Sequence, residues 1–466
     1  MKSLSHRRAL GLCVALVTAA MLGLSCSSLP TFVPDLAHRP ARPVPLSGAS
    51  GPLTAAQSRA ILQRLQSGGQ PTDIFSRHLA LEEAIVGSPL TTGNAVRLLQ
   101  DGPATYRAML GAIAAARDHI NMETYILDDD AIGRQFAQAL LDKQAQGVQV
   151  NLLRDSAGTF GTPAAFFQRL SDAGVQVLEF NPVNPLAVRE GWQWNQRDHR
   201  KLLIVDGRTA FLGGINISSV YSGGSSSKTK RFDPDAALAW RDTDLQLQGP
   251  VVAELQKLFL AAWQRQLGPP LQPRAYFPPL QAMGTQVVRA IGSSPEETYS
   301  LIYATLLSAI GSAETSVHIT NAYFAPDPQL LEALVAAAAR GVEVTLILPA
   351  RTDSWLVFHA GRSHYANLLK AGVRIFERRG VVLHSKTALV DGVWATVGST
   401  NLDWRSFLHN HELNAVILGA DFGQQVQTMF ERDLAASDAV ELAAWERRSP
   451  ALRMQEWFGR LWEYWL

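Results

Sequence analysis

The chain has 466 residues and is 47% hydrophobic, so it is long enough for two or three domains with a sizeable core, and disorder is excluded as the default state. Lys and Arg total 42 against 41 Asp and Glu, which leaves no global positive field to gather nucleic acid. The only cysteines, Cys13 and Cys26, sit near the N-terminus, so the body of the protein can have neither an internal disulfide nor a cysteine-based zinc site.

Residues 1–25 read as a signal peptide, because Lys2, Arg7 and Arg8 precede an apolar run from Ala9 to Leu24. That run is shorter than the ~18–20 apolar residues of a membrane span. Cys26 follows small and apolar residues in a pattern similar to a bacterial lipoprotein processing site, although Gly23 stands where such sites usually carry Leu. Residues 26–54 are rich in Pro, Ala, Ser and Gly and are expected to form a tether. A helical extension is expected over 55–99.

The first α/β region, 100–267, is expected to run helix Tyr106–Arg117, strand His119–Ile126, helix Ile132–Gln146 and strand Val148–Arg154. After a proline-rich linker at 268–285, the order repeats over 286–440. There the expected elements are helix Tyr299–Ala309, strand Ser316–Tyr323, helix Pro328–Arg340 and strand Val342–Pro349. Strands alternating with helices imply parallel pairing within each half and a layered α/β fold. The tail, 441–466, ends in RMQEWFGRLWEYWL, an aromatic-rich amphipathic pattern that suits either a membrane interface or packing back onto the domain. Trp355 to Phe358 form a further apolar run, which suits burial in the core or an acyl-lined groove.

Chemistry enters with a polar tetrad. His199, Lys201, Asp206 and Asn216 recur, with the same internal spacing, as His384, Lys386, Asp391 and Asn401, and Gly213 is matched by Gly398. Two copies of one phosphate-binding half-site are implied. A His and a Lys two apart on a strand point the same way, so each half contributes one imidazole and one ammonium. Asp206-Gly207 and Asp391-Gly392 have the form of hairpin turns, which favours a structural role for both Asp residues. Gly213 and Gly398 allow close backbone approach, and the Asn216 and Asn401 amides can donate to a phosphoryl oxygen.

Doubling suits phosphodiester chemistry: one neutral imidazole attacks phosphorus, the other donates a proton to the leaving alkoxide, and the lysines stabilise the oxygens. Such a scheme needs no metal and no cofactor. Downstream, RDTDLQLQG aligns with HELNAVILG so that Asp242 matches Glu412. Either carboxylate could accept a histidine Nδ1–H, and the spacing does not say which serves which ring. Among the other histidines, His119, His318, His359, His364, His409 and His411 read as ordinary core or surface residues.

The two stretches HRKLLIVDGRTAFLGGIN and HSKTALVDGVWATVGSTN resemble the paired HKD motifs of the phospholipase D superfamily. NAYFAPDPQLLEAL, RGVEVTLILPARTDS, YANLLKAGVRIFE and GSTNLDWRSFLHNHELN are similar to bacterial cardiolipin synthases and related phospholipases D. The insertion at 223–237 departs from that pattern. The resemblance implies two tandem phospholipase D-like α/β/α domains with pseudo-twofold symmetry and one active site at their interface. It also implies a phosphohistidine on His199, with His384 as acid and then base. The expected activity is phosphatidyl transfer between phospholipids at a bacterial envelope membrane, by a monomer on the periplasmic face that is lipid-anchored or membrane-associated. Water as acceptor would make it a hydrolase, and a nuclease or a non-catalytic lipid-binding lipoprotein are the readings from other classes.

Overall fold

The structure is a computed structural model that describes residue 31 and residues 44–69, 72–184, 192–193, 195–223 and 238–466. The expected signal peptide, Cys26, most of the tether and most of the 223–237 insertion lie outside the described residues. In each half a helix leads into the first parallel strand, and its start is set locally. Pro103 sits in the first turn of Gly102–Ala115, and the Ser300 side chain caps Leu301–Ser312. The second helices, Ala131–Ala145 and Pro328–Ala339, are capped by Asp130 and Asp327, whose carboxylates each take two backbone N–H groups. The caps occupy equivalent places in the repeat, as a duplicated sequence requires.

In the first half the strands His119–Thr124, Gln149–Asp155 and Gln176–Phe180 pair in parallel. In the second half Ser316–Asn321, Glu343–Pro349 and Arg374–Arg378 do the same. Within the halves the expectation of parallel pairing holds for these and for the short pair Phe324–Ala325 with Leu402–Asp403. Each parallel trio continues antiparallel into a hairpin, Leu202–Val205 with Thr209–Gly213, and Lys386–Val390 with Trp394–Gly398. The reason is the Asp-Gly turn: Asp206 and Gly207 have φ of 53° and 60°, and Asp391 and Gly392 have 50° and 66°, which reverses the chain within a few residues.

The helical extension expected over 55–99 is correct for Ala55–Ser67 and Leu79–Ile85 but gives way to an eleven-residue strand, Leu90–Gln100. That strand pairs antiparallel with Thr243–Gln248 of the first half and with Gln286–Ser293 of the second. It therefore joins both halves into one sheet. Thr91 and Thr92 bring β-branched side chains to its start, and pairing on both edges outweighs weak local propensity.

The halves also share a core. Leu153, Leu202, Leu245 and Phe259 pack in the same cluster as Val288, Leu389, Leu413 and Phe422. An interface built of fully buried aliphatic residues is a core in its own right, so the linker after Arg265 separates the repeats in sequence without separating two independent cores.

Candidate active site

Two short cross-half pairings place the histidines. Arg197–Asp198 runs parallel to Asn410–His411, and Trp240–Arg241 runs parallel to Val382–Leu383. Directly after them, the His199 N–H donates to the His411 carbonyl at 3.0 Å and the His384 N–H to the Arg241 carbonyl at 2.7 Å. Each catalytic-motif histidine thus lies where its own half meets the carboxylate-bearing strand of the other half.

The carboxylates serve the rings crosswise. His199 Nδ1 lies 3.0 and 3.1 Å from the two oxygens of Glu412, and His384 Nδ1 lies 2.6 Å from Asp242 Oδ2. A carboxylate that accepts Nδ1–H leaves Nε2 as the lone-pair nitrogen of each ring. Lys201 Nζ donates to the His199 carbonyl at 2.6 Å, and Lys386 Nζ donates to the His384 carbonyl and lies 2.8 Å from His384 Nδ1. His, Lys and carboxylate are buried in both half-sites.

The other motif residues shape this centre. Asp206 accepts from the N–H groups of Arg117, Asp118 and His119, and Asp391 accepts from those of Glu314, Thr315 and Ser316. Both carboxylates pin the loop between the first helix and the first strand of their half, at the far end of the hairpin from the histidines. A Cβ at Gly213 would strike Asp244, one at Gly398 would strike Asn414, and one at Gly214 would strike Asp242. These glycines let the hairpin close onto the strands that bear the carboxylates. Asn216 spends its amide inside the protein: Oδ1 accepts from the Ile126 N–H at 3.1 Å, and Nδ2 donates to Tyr221 Oη at 3.0 Å. Asn401 differs, because its buried Oδ1 accepts no hydrogen bond.

Burial governs the protonation of these groups. It lowers His199 well below the ordinary imidazole range, helped by the charges of Lys201, Lys386 and His384. His384 is lowered by burial and Lys386 to about 4, with Asp242 pulling the other way. Burial also brings Lys201 down to about 7 and Lys386 to about 8, opposed chiefly by Glu412 and Asp242 respectively. Glu412 is raised by burial to about 7. Desolvated positive groups gathered around one centre favour an anion, whose arrival would restore their protons. Among the described residues no group of three His, Cys, Asp or Glu is placed to hold a metal ion.

Several residues here escaped the sequence reading. Tyr221, Trp240 and Tyr323 surround His384, with ring centroids 5.8, 5.0 and 5.9 Å away, whereas His199 has Tyr125 at 5.0 Å. Arg405, whose charge reaches His199, donates to Asn195. The internal repeat held a clue to Tyr221: Ser406 occupies its place in the second half and accepts the Asn401 N–H at 3.3 Å. His411, read as ordinary, supplies the carbonyl that receives the His199 N–H. A ring's neighbours from the other half leave no local signature.

The family model described as "Cardiolipin synthase, PLD-like domain" matches residues 109–225 and 306–434. The chain is 40% identical to cardiolipin synthase A of Pseudomonas putida (strain W619) over 352 residues, 74% of this chain and 69% of that protein. It is 34% identical to the cardiolipin synthase of Geobacillus sp. (strain WCH70) over 385 residues, 82% of this chain and 74% of that protein. The solved phosphatidylserine synthase of Haemophilus influenzae Rd KW20 superposes with a TM-score of 0.60 at 14% identity, covering 83% of this chain and 99% of that one, which is a likeness of fold.

Proposed function

Because the chain belongs to the family of phospholipase D-like cardiolipin synthases, we propose that it transfers a phosphatidyl group from one phospholipid to a hydroxyl of another through a phosphohistidine. The observation that carries this reading is the crosswise pairing of His199 with Glu412 and His384 with Asp242. Neutral His199 attacks phosphorus through Nε2 while protonated His384 gives its proton to the departing alkoxide as the P–O bond breaks. His384 then takes the proton of the incoming alcohol, whose oxygen attacks phosphorus and frees His199. Two phosphatidylglycerol molecules thereby give cardiolipin and glycerol.

Burial and neighbouring lysines favour the neutral form of both rings, and the rings differ in what opposes this: at His384 Asp242 pulls toward the charged form through a short hydrogen bond, whereas the leading causes at His199 all lower its proton affinity. Lys201 and Lys386 neutralise the oxygens of the phosphoryl group in flight. The aromatic rings of Tyr221, Trp240 and Tyr323 restrict water beside His384, which favours an alcohol as acceptor over hydrolysis.

The test is product analysis by mass spectrometry on phosphatidylglycerol vesicles, with cardiolipin and glycerol expected in equal amounts. Phosphatidic acid with no cardiolipin at any lipid density would assign the protein to the hydrolases instead. Turnover is expected to survive EDTA, and complete loss restored by a divalent ion would overturn the metal-free scheme. One chain supplies both half-sites, so a monomer suffices, and the near-neutral net charge disfavours nucleic acid as substrate. The reading also places the protein at the periplasmic face, held by lipid on Cys26, and Cys26→Ala is expected to shift it toward the soluble fraction.

A further inference from the structure

Among the described residues, half of the exposed large hydrophobic side chains are concentrated in one short segment. Seven of fourteen fall between Leu452 and Trp465, with Met454 at 66% exposure, Trp457 at 60% and Leu461 at 58%. Singly exposed apolar residues are ordinary, but a contiguous aromatic patch is not. Leu461, Trp462 and Trp465 follow the end of the helix Pro450–Arg460, which carries the other four and is held in place from the inside. Its Gly459 lies close against the backbone of His359 and Ala360, and Glu456 is buried and paired with Arg448. Its outer face stays bare.

The patch continues to the mouth of the active site. Trp355, 47% exposed, contacts Phe458 at 6.2 Å, and it follows the loop in which Asp353 accepts a hydrogen bond from Tyr323. Tyr323 stands 5.9 Å from His384. Leu466 packs against the same small cluster of Ala325, Val357 and Ala360 as Tyr323 does, and its backbone oxygen accepts the Arg405 N–H at 2.7 Å. In the other half, Phe160 is 78% exposed in the loop that follows Gln149–Asp155. That loop abuts the active site at Gly158, which touches Tyr125, the ring 5.0 Å from His199. Exposed aromatic side chains therefore stand on the rim of both halves.

We infer that this rim, Phe160 on one side and Trp355 with the C-terminal helix on the other, is the surface by which the protein docks on an anionic phospholipid bilayer, turning the histidine pair toward the lipid headgroups. The inference rests on the proposed lipid substrate and adds the face that meets it. Two features select a bilayer over a protein partner. Trp457 with exposed Arg453 and Arg460 on one helix, and Trp462 and Trp465 just after it, match the apolar and anionic layers of such a membrane. No described helix is long and apolar enough to cross a membrane, so among these elements only shallow insertion is open.

The test uses the full-length protein with vesicles whose acyl chains carry bromine, which quenches nearby tryptophan fluorescence. No tryptophan precedes Trp192, so the N-terminal segment contributes nothing to the signal. Strong quenching is expected on phosphatidylglycerol and weak quenching on phosphatidylcholine. Trp457→Ser/Trp462→Ser should lose most of it and raise the apparent KM for vesicles about tenfold or more, with Phe160→Ser raising it severalfold. Turnover of short-chain phosphatidylglycerol below its micelle concentration should stay within about twofold, which shows that the folded site is intact.

Unchanged quenching in the double variant, equal quenching on phosphatidylcholine, or parallel loss of short-chain turnover would each overturn the inference. So would a concentration-dependent dimer that the double variant abolishes, which would assign the face to a second copy. If the parent protein turned over neither substrate, the proposed function would fail while the quenching still decided the docking face.

Discussion

At His199 the ring faces both oxygens of Glu412, and that carboxylate is held in turn by Ser399 and Asn410. At His384 one oxygen of Asp242 lies 2.6 Å away, and Gly214 stands where the other half has Ser399, so no hydroxyl competes for the carboxylate. Duplication accounts for two phosphate-binding half-sites. Under the proposed roles the departures from symmetry matter: Glu412 is shared with two further side-chain donors and orients its histidine, whereas Asp242, among the described residues, takes only the His384 ring and the Thr243 backbone N–H, at 2.7 Å, and so favours a proton on that ring. The aromatic enclosure follows the same division, with three rings around His384 and one beside His199.

The comparison breaks most visibly at the histidines themselves. His199→Ala and His384→Ala should each lower turnover by about 10^4-fold or more, and the double variant should be little worse, because the rings act as one unit. Acid quenching with a phosphorus-labelled diester that has a good leaving group separates them. His384→Ala should still trap label on His199, and His199→Ala should trap none. Label on His384 would reverse the roles.

The carboxylates sharpen the contrast at smaller cost. Asp242→Asn and Glu412→Gln should each reduce kcat by about 10–100-fold with little change in KM. The Asp242 variant should recover more when the leaving group needs no proton, since it serves the acid. Equal recovery in both variants would erase the distinction between the half-sites.

A third contrast is in pH. Lys201 is lowered to about 7 and Lys386 to about 8, so both lose their protons as pH rises through that range, well below the usual lysine value. Anion binding to the free enzyme should therefore weaken above pH 7, by up to about tenfold per unit as Lys201 titrates and up to about a hundredfold per unit above pH 8, where both lysines must regain a proton. Inhibition by sulfate, whose charge is constant over this range, measures it; affinity that held to pH 10 would mean that the lysines are not desolvated. The scaffold carboxylates should show the smallest functional effect. Asp391→Ala should cost about 2–4 kcal/mol in urea unfolding, and Asp206→Ala somewhat less, because Asp391 also receives the Thr72 and Thr315 hydroxyls.

The sequence alone determined the repeat, the identity of the paired tetrads and, within a few residues, the helices and parallel strands around them, because those depend on caps, turn dipeptides and periodicity that each act over a handful of residues. The Asp-Gly turns likewise were legible as turns. Only the tertiary structure decided that Glu412 serves His199 and Asp242 serves His384, since the partners come from opposite halves and equal spacing suits either pairing. It alone made Leu90–Gln100 a strand, whose two edges are satisfied by segments more than a hundred residues downstream. It also gathered Tyr221, Trp240 and Tyr323 around one ring, because proximity across a folded interface depends on how two surfaces pack and leaves no pattern along either one.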